Sequence, residues 1–171
     1  MPRLSRCAAV LVLPLALLGT SCGTPEPKTE IELRDVESYW AVDPAVGDTQ
    51  FLAPVVRFRL VNKEARSRSI QAMATFRRKG EGPSWSSAWQ QASPLPDGKP
   101  LPSGQSVLVV LKPEGEGRYT YRGAPEAMFQ HAEFKDVTAE VFVRVGSSGW
   151  TRFADVETER RLGSHAVDAF K

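Results

Sequence analysis

The nine residues VTAEVFVRV, Val137 to Val145, decide the fold. Val137, Ala139, Val141, Val143 and Val145 alternate with Thr138, Glu140, Phe142 and Arg144. That period of two matches a strand with one buried face and no helix. Working outward, GSSG leads into Trp150 to Val156, a second strand across a hairpin-like connection. Upstream, VVRFRLV (55–61) sends Val56, Phe58 and Leu60 one way and Arg57 and Arg59 the other. Residues 69–77 repeat the pattern with Ile70, Ala72, Ala74 and Phe76, and SVLVVLK (106–112) is an apolar run of core-strand length. Ile31, Leu33, Val36, Tyr39, Trp40 and Val42 give a first strand whose spacing slips once, as at a bulge. APEAMFQH (124–131), with Pro125 at a first helical position, predicts one short helix. About seven short alternating strands, many turns and little helix predict a mainly β chain folded as an antiparallel β-sandwich.

The N-terminus reads differently. Arg3 and Arg6 precede Ala8 to Leu18, eleven residues free of polar side chains and interrupted by Pro14. A helix of that length falls far short of a ~30 Å hydrocarbon core and fits an export signal that is removed. Small residues follow and lead to Cys22, in LLGTSC. This segment resembles the lipobox signal of bacterial lipoproteins, with Gly19 where that family prefers Leu. The resemblance implies diacylation of Cys22, cleavage after Ser21, and a cell-envelope location at a membrane. In a host with two membranes it implies the periplasmic face of the outer one, because Gly23 rather than Asp follows the cysteine. Ordinary cleavage near Ser21, leaving a free thiol, is the competing reading. Cys7 leaves with the signal, so residues 22–171 hold one cysteine and form no internal disulfide. A diacyl chain would bind firmly, at about 0.8 kcal/mol per buried CH₂.

The domain boundaries follow: residues 1–21 as signal, 22–29 as lipidated N-terminus and tether, 30–162 as the sandwich, and 163–171 as a tail. The stretch Thr158 to Lys171 reads either as a final strand followed by disorder or as an added short helix. Removing Arg3 and Arg6 leaves 20 basic residues against 20 acidic ones. Such neutrality argues against general nucleic-acid binding.

VRFRLVNK (56–63) and PLPSGQSVLVVL (100–111) are similar to the strand and turn-strand motifs of small bacterial Ig-like lipoprotein domains of the FxLYD type. The resemblance implies an Ig-like sandwich with an accessory or binding role and no activity.

Chemistry-bearing residues are sparse. His131 and His165 lie 34 positions apart, with no cysteine of the exported chain to join them, so neither a metal nor another cofactor is expected. Glu114 and Glu116 sit in a Gly-rich loop unsuited to positioning a catalytic pair, GxSxG is absent, and neither GEG is followed by the Lys-Ser/Thr of a phosphate loop. Two features suit binding. From Arg57 to Lys79, eight basic residues meet one acid, Glu64. Arg57, Arg59 and Arg77 are expected to share the outward face of two paired strands, either as a solvated face matched by acids such as Glu133, Asp136 and Glu140 or as a surface for an acidic partner or anionic lipid. PSWSSAWQQ (83–91) places Trp85 and Trp89 four apart, as sandwich-edge packing or as an exposed anchor. The expectation is a lipid-anchored, non-enzymatic module for an envelope protein partner. The alternative is a glycan- or lipid-binding protein that uses the same tryptophans.

Overall fold

The computed structural model describes residues 26–46, 49–82, 84–92, 99–113 and 115–163. Within them the chain is an antiparallel Ig-like β-sandwich. Its strands are β1 (Ile31–Val46), β2 (Thr49–Asn62), β3 (Ile70–Arg78), β4 (Ser86–Ala92), β5 (Ser106–Leu111), β6 (Tyr119–Tyr121), β7 (Val137–Val145) and β8 (Thr151–Glu157). One sheet runs β1-β2-β5, with β6 also on β2; the other runs β4-β3-β7-β8. The links β2–β3, β4–β5 and β6–β7 therefore cross between sheets, in Greek-key manner.

β6 is the eighth strand where about seven were expected, and it continues β5. β5 pairs with Val56 to Val61 and β6 with Gln50 to Leu52, along the same edge of β2. One strand position is thus filled by two pieces separated by Lys112 to Arg118.

Alternation sets the core. Val56, Phe58 and Leu60 face Ile70, Ala72, Ala74 and Phe76, and Val137 to Val145 contributes its five odd-numbered side chains. Trp40, Phe58 and Phe76 are fully buried. Each apolar side chain removed from water in this way contributes about 1.5–3 kcal/mol. The expected slip in β1 is present: pairing with β2 shifts between Arg34 and Glu37, and Asp35 has φ +52°.

Two local outcomes differ from expectation. Pro27–Glu30 forms a helical turn (α1) in place of the end of a tether, because Pro27 suits a first turn and is buried there with Glu30. Glu30 is ion-paired to Arg68 at 2.7 Å. The short helix at Pro125–Gln130 winds as a 3₁₀ turn, the tighter form used in short pieces. After β8 the chain crosses to the other sheet and runs parallel to β1. The Glu159 N–H donates to Ser38 O, Trp40 N–H to Arg161 O, and Gly163 N–H to Trp40 O. This covers the free edge of β1 at Ser38 and Trp40; residues 164–171, where the rest of the expected tail falls, lie outside the described residues. No helix among the described residues is long and apolar enough to cross a membrane.

Candidate functional site

The basic residues do not form one stripe. β2 and β3 belong to different sheets, so Arg57 and Arg59 stand on the outer face of one sheet and Arg77 on that of the other. The β2–β3 link crosses the sandwich where the two strands were expected to pair, and alternation fixes a face without fixing the sheet. Each arginine also has an acidic neighbour. Arg57 donates to Glu37, which takes a second bond from Arg161 at 2.5 Å. Arg59 lies 3.7 Å from Asp35. Arg77 donates to Glu140, which Arg152 also reaches at 2.9 Å. Burial pushes the Glu37 carboxyl up, but the bonds from Arg57 and Arg161 outweigh it and hold the group below its ordinary value. Asp136 is likewise held low, chiefly by its bond from Arg160 at 2.7 Å. Glu133 keeps its backbone N–H on His131 Nδ1 at 3.2 Å, within its own turn.

The two tryptophans separate as well. Trp85 lies just before β4 and packs half-buried against the core. Its ring sits 5.3 Å from Tyr119, and the Arg78 guanidinium lies 3.9 Å above Trp85 and 4.7 Å from Tyr119. Tyr119, Trp40, Phe134 and Phe129 continue this cluster inward. Beside Trp85 is a shallow recess of about 460 Å³, lined by Ser84, Ser86, Ser87 and Glu116. Trp89 stands in β4 opposite Met73; its side chain lies outside the described residues, as do Cys22, Glu114 and His165.

Sequence reading missed the outer face of the β4-β3-β7-β8 sheet. Met73 pairs with Trp89 on one side and with Phe142 on the other, and Phe142 pairs with Arg152. Nearby, Trp150 is 37% exposed, with the Arg144 guanidinium 4.9 Å from its ring. Phe142 carried the signal: it is a large aromatic at an outward position of the cleanest strand. Among the described residues, no three His, Cys, Asp or Glu side chains cluster as metal ligands.

No family model matches the chain, and no curated protein matches it. Among solved structures it is similar to a β-glucuronidase from glycoside hydrolase family 2, at 12% identity and a TM-score of 0.36. The similarity covers 64% of this chain and 10% of that one.

Proposed function

We propose that the chain is a lipid-anchored envelope protein whose sandwich is a non-enzymatic interaction module at a membrane face. The observation that carries this reading is how near the anchor would lie to the fold. Cys22 precedes Pro27 by five positions, and Pro27 is already buried. At about 3.5 Å per residue, acylation of Cys22 would hold the sandwich within roughly 20 Å of the lipid. The surface best suited to a partner is the outer face with Met73, Phe142, Arg144 and Trp150. Methionine, aromatics and arginine are the residues enriched where proteins meet. The non-enzymatic reading is supported by the carboxylates Glu37, Asp43, Asp136 and Glu140, all held in ion pairs.

The test is membrane fractionation followed by cross-linking in the producing cell. Wild type is expected in the membrane fraction with a specific cross-linked partner, and Cys22→Ala in the soluble fraction. Phe142→Glu should keep the anchor and lose the partner. A soluble wild type would sink the anchor, and undiminished cross-linking of Phe142→Glu would sink the face.

The recess beside Trp85 favours a second reading, binding of a glycan or lipid. Quenching of tryptophan emission on titration, lost in Trp85→Ala, would support that reading over the first.

A further inference from the structure

A recess of about 610 Å³ opens where β6, the start of β2 and the 3₁₀ turn meet, lined by Thr49, Thr120, Tyr121, Arg122, Met128 and His131. Its size lies within the range of small-molecule sites. Strand pairing builds it. Tyr121 stands opposite Gln50, so the end of β6 lies beside the start of β2 and brings Thr49 in. Gly123, at φ +88°, then leads the chain into Pro125–Gln130, which supplies Met128 and ends at His131. None of these residues belongs to the outer face around Phe142 or to the recess beside Trp85.

Polar groups here are left uncommitted. Most arginines of the sandwich are paired with acids, but Arg122 has neither an ion pair nor a side-chain hydrogen bond among the described residues. The hydroxyls of Thr49 and Thr120 are likewise unpaired among them. Tyr121 lies deeper. It is 5% exposed, and its hydroxyl, shielded from solvent, has no hydrogen-bond partner among the described residues. Buried hydroxyls nearly always find a partner, and one left without costs stability. Burial, and then the charge of nearby Glu126, pushes the Tyr121 pKa above its ordinary value. The phenol is therefore protonated at neutral pH and able to donate.

These groups select a ligand chemistry. One permanent cation, Arg122, suits one carboxylate, which a guanidinium holds in a two-bond fork. Glu126, close enough to act on Tyr121, disfavours a second negative charge on the ligand. Thr49 and Thr120 can each donate and accept, which fits hydroxyl groups on the ligand. Met128 offers an adaptable apolar wall to a carbon chain. We propose that this recess binds a small hydroxylated monocarboxylate, its carboxylate on Arg122 and one of its oxygens reaching the Tyr121 hydroxyl as Met128 gives way. The site works independently of the anchor and of the partner face.

The test is a saturation-transfer NMR titration of the full-length protein with gluconate as probe. Glucose supplies hydroxyls without the charge, acetate the charge without hydroxyls, and inorganic phosphate a second charge. Gluconate is expected to bind about tenfold more tightly than any of the three. Arg122→Ala and Tyr121→Phe should each weaken gluconate about tenfold, the loss of one hydrogen bond to a charged group. Arg66→Ala, which removes another arginine unpaired among the described residues, should not. The Tm of Tyr121→Phe without ligand should equal or exceed that of wild type, because no bond within the fold is lost. No gluconate binding, equal binding of glucose, acetate or phosphate, or undiminished binding in either variant overturns the proposal. So does a Tm several degrees lower in Tyr121→Phe, which would mean that the hydroxyl is bonded inside the fold.

Discussion

Asp43 holds together a place where the chain would otherwise part. It is 4% exposed, pairs with Lys112, and lies 3.3 Å from Arg118, the residues at either end of the break between β5 and β6. Arg118 spans the gap over Phe51, its guanidinium 4.3 Å from the ring. Asp43→Asn leaves two cations facing each other without an anion. Their partial exposure, 27% and 24%, moderates the penalty below that of a sealed pair. The expected cost is about 2 kcal/mol in urea unfolding, with far-UV circular dichroism unchanged before the transition. A smaller companion is Ser38, whose hydroxyl bonds Val55 O at 2.9 Å and lies 2.8 Å from Thr158 Oγ1. None of this was visible in the chain alone. Asp43 reads as an ordinary polar residue after Val42, and only pairing across β2 brings Lys112 and Arg118 to it.

At the scale of elements, β1 depends on its bulge. Between Arg34 and Glu37 the register shifts, and Asp35 takes φ +52°, where a Cβ is unwelcome. Asp and Asn tolerate that region better than branched residues do. Asp35→Gly is expected to leave stability within about 0.5 kcal/mol of wild type, and Asp35→Val to cost about 1–2 kcal/mol. Thermal melts of the two variants side by side check the difference. The irregularity itself was legible, because Leu33 and Val36 break the alternation that Tyr39 to Ala41 resume in shifted phase. Faces were legible throughout: Val56 to Leu60, Ile70 to Phe76 and Val137 to Val145 bury the positions their periodicity assigns. Which sheet a strand joins was not legible. Arg57, Arg59 and Arg77 are all outward, yet two point from one sheet and the third from the other. Pro27 carried a similar ambiguity, since the same fixed φ serves an extended linker and the first turn of a helix.

Across the whole molecule, charge pairing gives stability a pH dependence of definite sign. Glu37, Asp136 and Glu81 are held below their ordinary values. For Glu37 the arginine bonds overcome burial; for Asp136 and Glu81 the bonds from Arg160 and Lys135 lead. A carboxyl that is more acidic when folded stabilises the native state above its unfolded pKa. That contribution is lost as pH falls through the folded value. The ordinary values are 4.5 for Glu and 3.8 for Asp. Stability should therefore be level from neutrality down to about pH 5 and fall progressively below it. A chemical-denaturation series at fixed ionic strength checks this, and constant stability down to pH 3 would contradict the pairing. High salt should flatten the decline for the exposed pairs.

The strand-like stretch Glu159 to Gly163 runs beside β1, and Ser38 meets Thr158 across 120 positions of sequence. During synthesis the edge of β1 emerges about 120 residues before its partner. Until then the nascent domain carries an open row of backbone donors and acceptors, the kind of template on which strands of neighbouring chains add. The hazard is thus confined to an interval set by the speed of translation. A ribosome that terminates before codon 159 releases a sandwich able to recruit its own kind, while one that passes Gly163 yields a domain whose first strand is already covered at Ser38 and Trp40.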